Sequence, residues 1–293
     1  MEIKNRLVVL LFFYYLCRLM KKYIAIALIL LLGGICSPAW ADKYYNRLLK
    51  SQDGEIKYKA AVEYFEQEDY KKAVRLLEDI SSQFKGTDKS ENILYLLSTS
   101  YFKRKDYISA EHYYKTYVNT YVRSKRYAEC LFMLAYTEYM QSPEPELDQT
   151  PTTNAIEHFQ LFLEQFPNNE FAKDAKRYQD EMYDKLAERE FKNATLYYNL
   201  GNYMGNNYRA AIITAQNAIN DYPNSKHIGE LALIIVRAKY HEALNSVAEK
   251  VLERSEDALE ECYYYLQEHA DSKHVKEVEK MAKHLQKIIE HSI

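Results

Sequence analysis

The residue with the most specific potential chemistry is Cys36, in the stretch GGICSPAWADKYY at positions 33–45. A cysteine directly behind an apolar run is where a bacterial lipoprotein is cleaved and its thiol is lipidated. Just beyond it, Ala39-Trp40-Ala41 has the small-residue pattern at which an ordinary secretory signal is cleaved. The two sites predict different mature proteins: one tethered by a lipid at Cys36, the other released and beginning at Asp42.

An export signal precedes both sites. Met20-Lys21-Lys22 is followed by YIAIALILLLGGIC, a charged region and a short apolar core. This signal is complete without residues 1–19, so Met20 is a candidate for the natural start. A second apolar run occupies residues 7–17, but neither run reaches the roughly 20 residues of a spanning helix. We therefore assign residues 1–41 to a leader.

Other residues with potential chemistry form no catalytic pattern. The sequence contains no P-loop and no GxGxxG, GxSxG or HExxH motif. His241-Glu242 begins like a zinc motif, but Asn245 stands where the second histidine is needed. His284 and His291 share one helical face, where a solvated polar surface is commoner than a metal site. We expect no enzyme activity, no catalytic residue, no cofactor and no metal.

The charge balance argues against a nucleic-acid partner. The leader has five basic residues against Glu2, so its removal changes the net charge from −3 to about −7. No basic stripe suggestive of nucleic-acid binding was identified in the sequence.

The scarcity of turn residues predicts an all-α chain. There are 7 glycines and 6 prolines, and between 55 and 142 only Gly86 interrupts the chain. A β-rich protein needs turn residues every 8–12 positions.

A repeat organises these helices. An alanine precedes an aromatic residue by eleven positions four times, and His269 gives a weaker fifth case. The pairs are Ala73–Phe84, Ala110–Tyr121, Ala155–Phe166, Ala211–Tyr222 and Ala258–His269. A helix-capping residue type follows three positions later. These residues are Thr87, Ser124, Asn169, Ser225 and Ser272. Each unit is interpreted as a helix packed around a small alanine, a turn and a capped second helix.

The pattern resembles the tetratricopeptide repeat. Its best match is in the second unit, at Leu94, Leu97, Ser98, Tyr101, Ala110 and Tyr114. The alanines are 37, 45, 56 and 47 residues apart, so the units are uneven. We predict an all-α solenoid of about five helical hairpins over about 55–290.

The organisation along the chain follows from these repeats. We expect a linker at 42–54, N-terminal repeats at 55–168 and C-terminal repeats at 169–293. Residues 169–204 are expected to form an overlong helical stretch that ends at Gly205. Cys130 and Cys262 occupy apolar repeat positions in different units, so buried free thiols are expected rather than a disulfide.

Aromatic residues predict a binding groove in the N-terminal repeats. In tetratricopeptide folds the first helix of each pair lines a concave face, at consensus positions 5 and 12. The first three units place aromatic residues there: Tyr58, Phe65, Tyr95, Phe102, Phe132 and Tyr139. The fourth unit has Arg177 and Asp184, and the fifth Leu233 and Tyr240. Alternatively, these rings only pack between repeats in a chain that has 29 tyrosines. In the groove interpretation, they offer apolar area and hydroxyls to an extended or aromatic-ended peptide.

Longer phrases resemble one family. They are FKGTDKSENILYLLSTSYF at 84–102, SPEPELDQTPTTNAIEHFQLFLEQFPNN at 142–169 and LYYNLGNYMGNNYRAAIITAQNAINDYP at 196–223. With KYYNRLLKS at 43–51 and the export signal, they resemble the BamD family. These are the tetratricopeptide lipoproteins of the outer-membrane β-barrel assembly (BAM) complex. The resemblance covers residues 43–290.

The resemblance implies a non-enzymatic function at the periplasmic face of the outer membrane. It implies lipid attachment at Cys36, although Ile35 departs from the small residue expected before that cysteine. C-terminal repeats would dock on the periplasmic domains of the barrel-forming core subunit, and N-terminal repeats would receive unfolded outer-membrane proteins. From this resemblance and an exposed cationic turn we assign docking to Gly205, Asn206, Asn207, Tyr208 and Arg209.

Two other classes of protein share some of these features. A periplasmic tetratricopeptide coordinator of cell-wall synthesis would share the fold and compartment, but should lack the phrases at 142–169 and 196–223. A glycan-binding outer-membrane lipoprotein would also use aromatic residues, usually tryptophans in loops. The single tryptophan here, Trp40, lies in the leader.

Overall fold

The computed structural model describes residues 38–292, which form twelve α-helices and no strand. The helices are α1 Pro38–Lys50, α2 Gly54–Glu66, α3 Tyr70–Ser81, α4 Asp88–Lys103, α5 Tyr107–Thr120, α6 Tyr127–Gln141, α7 Thr150–Gln165, α8 Ala172–Leu200, α9 Asn207–Asp221, α10 Ile228–Leu244, α11 Ala248–Glu268 and α12 Val275–Ser292. None of these helices has the length and apolar character needed to cross a membrane. The cleavage and lipidation sites, including Cys36, lie outside the described residues.

The chain divides into two compact units, one up to Ser100 and one from Tyr101 onward. In the first unit α2 packs on α3, and α1 contacts both. Lys57 is buried and joins the three helices, because its ammonium bonds the Leu49 carbonyl and pairs with Asp79.

Helix α1 changes the expected organisation, because it occupies most of the segment predicted to be a linker at 42–54. The ring of Tyr45 meets Tyr64 edge-on, with 5.7 Å between centroids, and the Lys72 ammonium lies 5.6 Å from the Tyr45 ring centre. Leu48 is buried. The segment is helical because these side chains give it an apolar face to pack.

The second unit is a stack of helical hairpins. Each helix from α5 to α12 packs on the next, and contacts also join α6 to α8, α8 to α10 and α10 to α12. Contacts between alternate helices arise when successive hairpins stack. The predicted all-α solenoid of uneven helical hairpins is confirmed.

Small side chains set the spacing of these hairpins. The five repeat alanines are fully buried: Ala73, Ala110, Ala155, Ala211 and Ala258. The residues four positions later are buried as well: Leu77, Tyr114, Phe159, Ala215 and Cys262. They form the packed faces predicted from the repeat. The small alanine allows close approach in each unit, and a larger residue fills the core in the first three units.

The capping residues lie in the turns before the helices. Four of them accept a backbone N–H two residues ahead, with the helix beginning one residue later: Ser124, Asn169, Ser225 and Ser272. Thr87 differs, because its hydroxyl donates to the Phe84 carbonyl at 2.7 Å. In two repeats a tyrosine one helix earlier anchors the turn, since Tyr117 and Tyr265 each hydrogen-bond their serine at 2.8 Å.

The long helix ends earlier than predicted. Helix α8 stops at Leu200 rather than at Gly205, because Gly201 has φ 54° and ψ −118°, a conformation that only glycine adopts readily. A β-carbon at Gly201 would lie 2.8 Å from the Tyr208 hydroxyl oxygen. Gly205 instead lies in the turn before α9, with φ 147°.

Cys130 and Cys262 are both buried thiols, as expected. Cys262 lies among the side chains of α10, α11 and α12, and burial raises the pKa of its thiol to about 12. A thiol held protonated in this way is a small apolar core residue rather than a nucleophile.

A buried ion pair joins α6 to α7. The Glu138 side chain is fully buried and its carboxylate lies 2.7 Å from His158 Nδ1. Burial raises the pKa of Glu138, while its bond to His158 opposes that shift. Burial opposes the charge of His158, but the bond to Glu138 outweighs it and the pKa of His158 is raised. The second Glu138 oxygen has no hydrogen-bond partner among the described residues.

Candidate protein-interaction surfaces

The predicted groove residues of the first unit are half-buried. The Tyr58 hydroxyl accepts a hydrogen bond from Asn92 at 2.8 Å, and its ring lies 6.0 Å from Phe84. Phe65, two turns along the same helix, packs edge-on against Tyr70 at 5.6 Å. Tyr95 lies on α4 and is also half-buried. Each ring is therefore partly covered by protein and partly open to solvent.

In the second unit, three of the predicted groove residues contact one additional ring, that of Tyr136. Tyr136 lies 5.7 Å from Phe102, 6.0 Å from Phe132 and 5.7 Å from Tyr139, measured between ring centroids. Tyr178 of α8 completes the group, 4.9 Å from Tyr136 and 4.6 Å from Tyr139. We refer to Phe102, Phe132, Tyr136, Tyr139 and Tyr178 as the ring cluster.

Sequence reasoning missed two members of the ring cluster. Tyr136 lies four residues after Phe132 and three before Tyr139, so helical spacing could have placed it beside both. Tyr178 follows Arg177 and so lies one position beyond the residue counted on the predicted groove face. The Tyr178 ring is nevertheless large enough to reach the rings of Tyr136 and Tyr139 on α6.

Members of the ring cluster differ in exposure. Phe132 is only 7% exposed and packs within 6.0 Å of Phe159, Phe162 and Phe171. Phe102, Tyr136, Tyr139 and Tyr178 are half-buried. Phe132 thus anchors the cluster in the core, and the half-buried rings offer edges to a ligand.

Charged groups border the ring cluster on α8. The Tyr139 hydroxyl donates to Glu181 at 2.7 Å. Burial, together with that carboxylate, raises the pKa of Tyr139 to about 12. The Arg177 guanidinium lies 4.1 Å from the Tyr178 ring centre and pairs with Glu181 at 2.9 Å and with Asp174 at 3.2 Å. The positions predicted to line the groove therefore change from aromatic residues on α6 to charged residues on α8.

A recess of about 470 Å³ lies beside Tyr139. Its lining includes Glu181, Lys185 and Lys226. The Lys185 ammonium donates to the Ser142 hydroxyl at 2.7 Å, and burial lowers the pKa of Lys185. The recess is polar and mixed in charge, so it suits a peptide backbone or polar side chain.

The predicted docking residues, 205–209, lie at the start of α9. Asn206 caps this helix by accepting the Arg209 N–H at 3.3 Å, and its amide donates to Glu242 at 2.7 Å. The Tyr208 ring stacks on His241 at 5.7 Å. Burial lowers the pKa of His241. Arg209 is exposed and has no ion pair among the residues that the structure describes.

An exposed apolar patch borders the docking residues. Tyr203 is 69% exposed and Met204 is 90% exposed. With three exposed side chains from the end of α8 they form what we call the α8 end patch: Leu196, Tyr197, Leu200, Tyr203 and Met204. Sequence reasoning missed it, although apolar residues beside an Asn- and Gly-rich turn could have indicated it. Adjacent exposed apolar residues of this kind mark interaction sites.

Potential metal ligands are dispersed in the described part of the chain. Among residues 38–292, no group of three or more His, Cys, Asp or Glu side chains is arranged to hold a metal ion. His284 bonds the Tyr240 hydroxyl at 2.7 Å, and His291 Nδ1 lies 2.5 Å from the Lys287 carbonyl oxygen. Both histidines therefore have local protein partners.

Comparison with known proteins identifies one family. The model of the YfiO family, described as outer membrane lipoprotein, matches residues 51–254. No curated protein sequence matches the chain. Among solved structures, the TPR2AB-domain:pHSP90 complex of yeast Sti1 shares 12% identity with a TM-score of 0.36. That match covers 80% of this chain and 98% of the other.

Proposed function

We propose a function from the premise that the chain belongs to the YfiO family of outer membrane lipoproteins, which is the BamD family. In this proposal the protein is a non-enzymatic component of the β-barrel assembly machinery. It receives unfolded outer-membrane proteins and docks on the periplasmic domains of the barrel-forming core subunit. The outer membrane location and the lipoprotein class follow from membership of the family. The structure has an all-helical fold of the kind that scaffold proteins use. Client binding and docking are the proposal.

Client binding is supported chiefly by the ring cluster. Its half-buried rings lie on first helices of hairpins, next to the polar recess beside Tyr139. Partly exposed rings offer an aromatic side chain apolar area at a low cost in conformational entropy. Such a surface suits the aromatic end of an unfolded barrel strand.

The test is the binding of an aromatic-ended peptide to a double variant of the ring cluster, Phe102→Ala with Tyr136→Ala. We expect binding to weaken by about 1–2 kcal/mol per anchor. The matched control is Tyr263→Ala with Tyr264→Ala, which removes two exposed rings from α11. Unchanged binding by a folded Phe102/Tyr136 variant would refute the client role.

Docking is supported by the α8 end patch and the adjacent cationic Arg209. Aromatic residues, Met and Arg are enriched in protein interfaces. The patch presents two exposed tyrosines and a methionine that is 90% exposed, beside an arginine that can make charge-assisted bonds.

The docking test is co-purification of the core subunit with full-length variants. Tyr203→Ser with Met204→Ser should reduce recovery of the subunit by at least about tenfold. Ile108→Ser with Val122→Ser is the matched control, because these side chains are equally apolar and 77% and 60% exposed. Equal recovery from both double variants would exclude the α8 end patch as the docking site.

The lipid would be attached at Cys36. Family membership supports this site over cleavage after Ala41, and a lipid holds a protein at a membrane by about 0.8 kcal/mol per buried CH₂. The mass of the mature N-terminus from native envelopes decides between the two. An unmodified chain beginning at Asp42 would exclude Cys36 while leaving the other two proposals intact.

A further inference from the structure

The outer face of the last helix, α12, has a stripe of four lysines. Its buried face is formed by Val278, Ala282 and Leu285. On the opposite face four exposed lysines follow one another at helical spacing: Lys276, Lys280, Lys283 and Lys287. We call them the lysine stripe. It extends over the twelve residues 276–287, and the eleven steps between its ends rise about 16 Å at 1.5 Å per residue.

The lysine stripe differs from the other charged faces of the second unit. On α8, Lys176 pairs with Asp180 at 2.6 Å and Lys192 with Glu188 at 3.1 Å. No ion pair involves a stripe lysine in the described part of the chain. A terminal repeat needs only a polar outer face for solubility. Two exposed carboxylates of α12, Glu279 and Glu290, flank the stripe, but neither forms an ion pair with a stripe lysine among the described residues. Four lysines without ion pairs on one helix, in a chain with a net charge near −7 without its leader, go beyond that need.

We propose that the lysine stripe contacts the anionic phospholipid headgroups of a membrane surface. Lysine is depleted in protein–protein interfaces, whereas clustered lysines are typical of surfaces that bind anionic lipid. The stripe is straight and contains no apolar anchor, which suits a flat charged surface better than a pocketed partner. Membership of a lipoprotein family places such a surface within reach.

A tyrosine borders the lysine stripe. Tyr263 of α11 is exposed, and its hydroxyl accepts a hydrogen bond from Gln286, which lies between Lys283 and Lys287 in sequence. Tyrosine is enriched at the membrane–water interface, where its ring and its hydroxyl meet different environments.

The test is sedimentation with lipid vesicles, using the chain without its leader and without a lipid. We expect binding to phosphatidylcholine vesicles that contain phosphatidylglycerol, and none to pure phosphatidylcholine. Each lysine near an anionic surface contributes about fivefold in affinity. Replacing the four lysines of the stripe by glutamine should therefore weaken binding by more than about 100-fold. Added salt should weaken wild-type binding, because exposed charges are screened.

Two matched variants complete the design. Replacing the stripe by four arginines keeps the charge and should retain binding. Glutamine at Lys59, Lys71, Lys125 and Lys173 makes the same charge change on exposed lysines elsewhere and should also retain it. Circular dichroism verifies folding of each variant.

Three results would overturn the proposal. The first is wild-type protein whose binding to vesicles does not increase when phosphatidylglycerol is present. The second is a folded glutamine variant of the stripe that binds these vesicles as tightly as the wild type does. The third is loss of an acidic envelope protein from the stripe variant with no change in vesicle binding, which would assign the stripe to a protein partner. None of these results depends on client binding or docking.

Discussion

The ring cluster and the α8 end patch are both built from large apolar side chains of the second unit, yet they are exposed very differently. In the ring cluster Phe132 is buried and its neighbours are half-buried, and the Tyr139 hydroxyl is bonded to Glu181. In the α8 end patch Met204 and Tyr203 extend from a turn into solvent. Composition is therefore a poor guide to role. Phe132 contributes mainly to stability because it is buried, whereas the half-buried rings of the cluster and the exposed α8 end patch remain available for association.

The largest expected difference is in stability. Phe132→Ala should lower the free energy of unfolding by about 3–5 kcal/mol, because it removes a buried ring and leaves a cavity among other rings. Tyr203→Ala should change it by less than about 0.5 kcal/mol. Chemical denaturation of both variants measures the contrast. Equal losses would mean that the two regions are not distinguished by packing.

A smaller effect concerns the turn that presents the α8 end patch. Gly201→Ala should cost about 1–3 kcal/mol, because alanine is strained at this backbone conformation and its β-carbon would meet the Tyr208 hydroxyl. Gly229→Ala is the control, since its β-carbon would meet atoms no closer than 3.8 Å inside α10. Thermal unfolding that affects both variants alike would contradict a special role for Gly201.

A smaller effect again separates two tyrosine hydroxyls. Tyr139→Phe should cost about 0.5–1.5 kcal/mol, because the hydroxyl is half-buried and donates to Glu181. Tyr203→Phe should cost nothing measurable, since no hydrogen bond of its hydroxyl was found in the described residues. Chemical denaturation of the two variants measures the difference in their free energies of unfolding. A cost at Tyr203 would indicate that the turn is more ordered than its exposure suggests.

The repeat pattern predicted the packed half of this comparison better than the exposed half. Ala110 and Ala155 could be placed in the core from spacing alone, because close approach of two helices requires a small residue at a fixed interval. The end of α8 could not be predicted from the sequence, because LYYNLGNYMGNN contains two glycines. Only the backbone conformation shows that the first of them, Gly201, ends the helix. Counting along one helix placed Phe132 and Tyr139 on a common face. It could not show that Tyr178 of another helix fills the space between them.

The smallest expected effect concerns how stability depends on pH. One histidine in each region should change the stability with pH, and the two changes should have opposite signs. His158 contacts buried Glu138 beneath the ring-cluster helix α6, and its pKa is raised above 6.5. The folded chain then binds the proton more tightly than the unfolded chain. The stability from this histidine is fully present below about pH 6.5 and is lost as the pH rises through the folded pKa. The raised pKa of Glu138 acts in the same direction.

His241 should respond in the opposite direction. It is enclosed by the rings of Tyr198 and Tyr208 behind the docking residues, and burial lowers its pKa below 6.5. Its contribution to stability is therefore present above about pH 6.5 and is lost as the pH falls toward the folded pKa. NMR titration of the two imidazoles measures the signs directly, and His241→Phe should remove the acid-side loss while keeping a ring against Tyr208. If both imidazoles titrated on the same side of 6.5, the two regions would share one electrostatic environment, and the difference between them would be one of exposure alone.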